Sequence, residues 1–314
     1  MELLRSAKKL WSKPAVKKSV VVGILVLTFV AFGRFFMQHP EYLRQLGHTS
    51  PWTILWVLLL NGAMIVVLVA ATEATLRLCG KSLGLRENFN LTSYASIANF
   101  FGPLQSGPGV KAAYLKARHG VRLRDFTLAS LVLLSFFALF SALFLFIGTR
   151  PWWQTVGALL VAGGCSVLAI RFFMQRDKTP ADSQLHFQPA IVGTLAGLAF
   201  LQVVIASAWY YVELQAVDPA IQFSQAISYA GAANFSLFVS ITPDGVGIRE
   251  TFLLFSQGIH HVPTRDIVAA NVIDRAVYVV FLIGLLAVVS LTHVSSKLKL
   301  ADLKRSTAKS SSKP

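Results

Sequence analysis

Six apolar runs, at 19–37, 53–72, 126–148, 152–174, 190–212 and 267–291, set what this chain can fold into. Each holds roughly 19 residues or more, enough to cross a hydrocarbon core of ~30 Å at ~1.5 Å per residue. A segment in lipid has to satisfy its backbone hydrogen bonds internally, which a helix does. The chain is 54% hydrophobic and only 14% charged, against about 25% charged in a soluble domain. Both features predict an all-α integral membrane protein. The first run follows a basic stretch, as in a signal peptide, but Arg34-Phe35-Phe36-Met37 offers no good cleavage site. It is expected to stay as the first helix.

A net charge of +15 would suit a nucleic-acid partner, but its distribution argues against one. With the N-terminus cytoplasmic and 91–117 and 221–259 read as hairpins, 23 Lys and Arg residues fall on the cytoplasmic side and 6 elsewhere. That asymmetry predicts a cytoplasmic (inner) membrane protein, both termini cytoplasmic. Anionic lipid headgroups become the expected partner.

Between the runs a short sequence occurs twice. Ser93-Tyr94-Ala95-Ser96-Ile97-Ala98-Asn99-Phe100 returns as Ser228-Tyr229-Ala230-Gly231-Ala232-Ala233-Asn234-Phe235. A Gly/Pro-rich break follows each copy, Gly107-Pro108-Gly109-Val110-Lys111 in the first and Pro243-Asp244-Gly245-Val246-Gly247-Ile248-Arg249-Glu250 in the second. Three apolar runs separate the copies, an odd number, so the two hairpins enter from opposite faces. The expected architecture is an inverted-topology repeat, each half two spans, a broken hairpin and one span. Its expected parts are a basic tail (1–18), two transmembrane repeats (19–148 and 149–291) and a basic, disordered tail (292–314). The arm 91–104 would be about 21 Å long as a helix, which favours a re-entrant hairpin. The first arm of the second hairpin is expected to be longer. Small residues in both arms permit close helix approach.

The breaks are the expected binding site. Backbone amides at the helix N-termini after Gly107, Gly109, Gly245 and Gly247 favour anions, with Pro243 and Asp244 completing the second tip. Lys111 and Arg249 stand at equivalent positions beyond these tips and suit an anionic headgroup. Glu250 has no acidic counterpart in the first half. Asp274 and Arg275, inside the last run, are candidates for coupling or gating, or for neutralising Arg249 and Glu250. Asn99 and Asn234 are expected to tie hairpin arms together.

Other groups carry less. Glu73 and Arg77 should pair at the interface, and Glu213 is placed at the opposite surface. Trp11, Trp52, Trp56, Trp152, Trp153 and Trp209 read as interface anchors. Cys79 and Cys165 lack pairing or metal spacing, and His260-His261 is a poor metal motif. No metal, cofactor or catalytic residue is expected.

The pattern Asn-Phe, then Pro-x-Gly-x-Gly-x-Arg-Glu at Pro243–Glu250, with a shorter copy through Lys111 and Tyr114-Leu115, resembles the flippase-like family. That family is typified by the transmembrane region of lysylphosphatidylglycerol synthases. The resemblance implies movement of lipids or lipid-linked intermediates, with Gly107, Gly109, Lys111, Pro243, Gly245, Gly247 and Glu250 at the matching positions. Asp244 stands where a small residue is expected and Lys111 where Arg is usual; both bear on which headgroup fits. The chain ends without a soluble aminoacyl-transferase domain, so it is expected not to be an enzyme. The leading expectation is a translocase of an anionic phospholipid or polyisoprenoid-linked lipid. The alternatives are a secondary transporter of a small anionic solute and a non-catalytic partner of a lipid or glycan biosynthesis enzyme. The oligomeric state is left open.

Overall fold

In the computed structural model the chain divides into two compact units, Met1–His48 and Thr49–Pro314. The structure describes residues 47–101, 106–146, 188–238 and 247–310, with isolated positions elsewhere and no side chains beyond 291. The expected spans at 19–37 and 152–174 lie largely outside the described residues, as do Trp11, Trp152 and Cys165. Everything below concerns the second unit.

Nine helices are described there: α1 (Pro51–Leu78), α2 (Leu85–Phe101), α3 (Ser106–His119), α4 (Leu123–Phe146), α5 (Pro189–Val217), α6 (Phe223–Ser236), α7 (Ile248–Phe255), α8 (Gln257–His260) and α9 (Thr264–Ser310). No strand occurs among the described residues. Among the described residues four segments are long and apolar enough to cross a bilayer: Pro51–Leu78, Leu123–Phe146, Pro189–Val217 and Thr264–Leu291. Their outward faces carry bare apolar side chains such as Leu59, Val66, Phe200 and Val288, a surface suited to lipid rather than water. The protein is an all-α, multi-pass integral membrane protein.

Local chemistry explains the helix ends. Proline stands at the first position of both α1 and α5, where no amide is needed for the ladder. α1 closes on Gly80 at φ +64°. The Lys81 amide donates to the Leu76 carbonyl and the Gly80 amide to that of Arg77, both at 3.0 Å, a Schellman stop. Beside it, Arg77 Nε donates to Glu73 Oε1 at 3.3 Å, and Glu73 Oε2 also accepts from the Leu83 amide at 3.1 Å.

The arms differ from expectation. α2 starts at Leu85, earlier than 91, and has 17 residues, whereas α6 has 14. The second hairpin's first arm is the shorter one. The run of small residues in α6 is not extended by the polar turn before it, because α6 starts only after Gln222, whose amide is held by Gln225 Oε1 at 2.8 Å. Trp209 is half-buried and packs against the apolar core rather than standing free at a surface, its ring 5.4 Å from that of Tyr210. Trp52 and Trp56 are exposed at the start of α1.

Two apolar cores fill the unit. One gathers Leu76, Leu91, Leu115, Phe126, Ala129 and Leu195. The other gathers Leu145, Tyr210, Leu214, Tyr229, Leu253 and Ile267. α1 and α5 pack most extensively, and each touches α4 and α9. The remaining contacts fall into matched pairs: α1 on α2 with α5 on α6, α2 on α3 with α6 on α7, α3 on α4 with α7 on α9, and α2 on α9 with α6 on α4. Only α8 has no counterpart among the described helices. The tightest approach is at Gly231, where an added Cβ would lie 2.7 Å from both Leu145 Cα and the Ser141 carbonyl oxygen. Gly107 brings α3 onto α2 the same way, its added Cβ falling 2.6 Å from the Ala95 oxygen.

Candidate functional site

Charged side chains meet where α7 and α9 pack against α5 and α6. α7 begins after Gly247, whose φ of +81° is a conformation other residues rarely adopt. The turn directs Arg249 inward: it is only 7% exposed. Its Nη2 lies 2.6 Å from Asp274 Oδ2, and its Nη1 donates to the Tyr210 hydroxyl at 3.5 Å. Glu250, the next residue, uses one oxygen to accept from the Gly247 amide at 2.7 Å and the other to hold Arg275 Nη2 at 2.6 Å. Two consecutive residues of α7 are thus tied to two consecutive residues of α9, with the charges reversed.

The first half has a simpler version. Lys111, on α3, donates from Nζ to Thr72 Oγ1 at 2.7 Å. Thr72 Oγ1 also lies 3.5 Å from Thr92 Oγ1, and Thr92 donates to Asn88 Oδ1 at 3.3 Å. Lys111 and Thr72 are 39 residues apart, and so are Arg249 and Tyr210. Each basic residue therefore reaches the same register of its long helix, Thr72 on α1 or Tyr210 on α5.

Of the remaining expected site residues, Pro243, Asp244 and Gly245 lie outside the described residues. Gly107 is buried against α2, and Gly109 is exposed with open space around it. Gly107 is thus needed for packing, whereas the space at Gly109 would admit a side chain. Asn99 Oδ1 accepts from the Gly107 amide at 3.4 Å across the hairpin. Asn234 is buried, and its amide nitrogen has no partner among the described residues.

The sequence reading missed three residues here. Glu213, expected at a surface, is completely buried, on the part of α5 against which α6 packs. Tyr210 and Tyr229 meet edge to face with centroids 5.3 Å apart. The 138-residue offset between Pro51 and Pro189, shared by Lys111 and Arg249, was the signal that pairs Tyr210 with Thr72. His260, also fully buried, uses both ring nitrogens: Nε2 meets the Leu253 oxygen at 2.9 Å and Nδ1 accepts from the Val262 amide at 3.1 Å. No group of three or more metal-ligating side chains occurs among the described residues.

Residues 19–285 match the family model described as the lysylphosphatidylglycerol synthase TM region. The chain belongs to that family. No curated protein matches it. Membership makes this a membrane protein of a lipid-handling family, and it corrects one expectation. The absence of a recognisable catalytic set predicted a chain that is not an enzyme, yet the family is a region of synthases, and synthases are enzymes. Where the sequence ends is no ground for excluding that activity.

Proposed function

We propose that this chain is the lipid-translocating membrane region of such a system, moving an anionic phospholipid or lipid-linked intermediate across the cytoplasmic membrane. The observation that carries the reading is the pair of basic residues, Lys111 and Arg249, each held 39 residues beyond its acceptor on α1 or α5. A cation at depth is expensive and is retained where it meets a charge that passes. Two such cations in matched halves suit a phosphate presented first to one face and then to the other.

The matched helix contacts support a duplicated architecture, which we read as an inverted repeat with re-entrant hairpins, and the Lys and Arg asymmetry supports cytoplasmic termini. In this reading the headgroup meets Gly107, Gly109 and Lys111 from one hairpin. Pro243, Asp244, Gly245, Gly247, Arg249 and Glu250 receive it from the other. Asp274 and Arg275 hold Arg249 and Glu250 until the headgroup displaces them, which is a gating role. Acyl or isoprenoid tails stay in the bilayer throughout.

The test is a proteoliposome assay with an acyl-labelled fluorescent phosphatidylglycerol, read as the fraction protected from an impermeant quencher. Charge-assisted hydrogen bonds contribute about 1.5–3 kcal/mol, so Arg249→Ala with Asp274→Ala should slow translocation by about tenfold to a hundredfold. The double change leaves no lone buried charge, so the fold is kept. Translocation at the wild-type rate in that variant removes Arg249 from the mechanism. Uptake of soluble phosphate without lipid movement would favour a solute transporter instead.

A further inference from the structure

The basic residues of the two hairpins differ in one respect: only one of them has a counter-charge. Arg249 Nη2 lies 2.6 Å from Asp274 Oδ2, and Arg275, the next residue of α9, is held by Glu250 at the same distance. Two cations and two carboxylates balance there. Lys111 Nζ instead donates to a hydroxyl, Thr72 Oγ1, at 2.7 Å, and among the described residues it makes no ion pair.

The groups behind Thr72 are neutral too. Its hydroxyl donates to the Leu68 carbonyl at 2.7 Å, which leaves its oxygen to accept from Lys111. Thr92 and Asn88 continue the hydrogen-bonded set, and the Asn88 side chain ends it by donating to the Val69 carbonyl at 3.0 Å. Thr72, Thr92 and Asn88 are all buried. Residues 51–146 contain three acidic side chains, and none reaches Lys111. Glu73 is tied to Arg77 and the Leu83 amide, Glu87 to Tyr114 and His119, and Asp125 is buried at the start of α4.

Lys111 is only partly buried, so a ligand can reach it. An ammonium has three donors, of which Thr72 takes one. Side chains on a helix lean toward its N-terminus, here toward the first turn of α3, where Gly109 is exposed with open space around it. The amides of that turn add partial positive charge. An anion arriving at Arg249 must displace a carboxylate, exchanging one charge-assisted hydrogen bond for another. An anion arriving at Lys111 displaces no carboxylate and neutralises a charge that the protein leaves uncompensated.

We propose that the two hairpins are unequal anion sites: the ligand-free protein binds one phosphate group at Lys111, and Arg249 receives it only when Asp274 lets go. A lipid head and free phosphate present the same oxygens, so the chemistry recognised is a phosphate anion. In the topology proposed above, loading begins at the cytoplasmic hairpin. The inference rests on reading the hairpins as headgroup sites, and it gives that reading an order of events.

Isothermal calorimetry on the full chain in an uncharged maltoside detergent counts the anions bound per chain. Dihexanoyl phosphatidylglycerol is titrated in one arm and inorganic phosphate in the other, and the arm that binds identifies a lipid headgroup or a free phosphate as the ligand. The wild type should bind one anion. Lys111→Gln, which keeps a donor for Thr72 but no charge, should weaken binding by about tenfold or more, and Lys111→Arg should restore it. Thr72→Asp places a counter-charge beside Lys111 and should weaken binding about tenfold more than the uncharged Thr72→Asn. Asp274→Asn unlatches Arg249 and should raise the count to two; if that variant does not fold, the two Thr72 variants decide. Two sites in the wild type, wild-type affinity in Lys111→Gln or Thr72→Asp, or a folded Asp274→Asn that still binds one anion overturns the proposal, as does binding of neither probe. One anion at Lys111 without movement of the fluorescent lipid in proteoliposomes leaves the unequal sites standing and ends the translocase reading. Lipid movement with two equal sites does the reverse.

Discussion

Glu87, at the start of α2, shows how one side chain can tie a hairpin shut. Its Oε1 accepts from the Tyr114 hydroxyl at 2.5 Å and lies 2.8 Å from His119 Nε2, so the first turn of α2 is fastened to the last turns of α3. The hydrogen bond from Tyr114, with help from His119 and Arg118, holds this carboxyl below its ordinary value of 4.5. Because the folded value is depressed, the tie contributes fully above the unfolded value and is lost as pH falls through the lower folded one. Amide exchange in 85–119, corrected for its intrinsic pH dependence, should therefore accelerate as pH falls below the ordinary carboxyl value of 4.5. Glu87→Gln should abolish that acid step; an identical step in the variant would assign it to another group. Cys79, by contrast, is inert: burial pushes its thiol up to about 12. Residue-scale roles of the second kind were harder to read. Arg249, Glu250, Asp274 and Arg275 stand out in the sequence as charges among apolar neighbours. Glu213 does too, but its position near a helix end made a surface equally natural.

At the scale of elements, close crossings carry the architecture. Gly231 lets α6 press on α4 until a Cβ would meet the Leu145 backbone. Gly231→Ala should lower stability by about 1–3 kcal/mol, the usual cost of overpacking, seen as a lower unfolding temperature in detergent. Gly197→Ala on α5, where nothing lies within 4 Å, is the control. It should be neutral or slightly stabilising, since alanine favours helix by about 1 kcal/mol. Equal losses at both sites would mean that the crossing is not tight. The long helices were legible because their length and apolar content leave no alternative in lipid. The arms were less so: the start of α2 at Leu85 lies in a polar stretch, Leu85–Asn90, where hydropathy is silent and only helix packing decides.

For the whole molecule, the inverted repeat proposed above makes a topological prediction. With Cys79 and Cys165 replaced by alanine, Ser82→Cys (before α2) and His261→Cys (before α9) should react with an impermeant thiol reagent from opposite faces, the first from the cytoplasmic side. Labelling from one common face would end the inverted arrangement. The repeated octapeptide and the equivalent positions of Lys111 and Arg249 were legible in the sequence. The sequence alone determined that this chain is helical and lies in a membrane, because long apolar runs can satisfy their backbone in lipid no other way. It also determined which charges are costly enough to notice. Only the tertiary structure decided how those charges combine: Arg249 with Asp274, Glu250 with Arg275, and Glu213 buried. Pairing depends on which helix faces meet, and helices far apart in sequence settle that through packing, where no local pattern reaches.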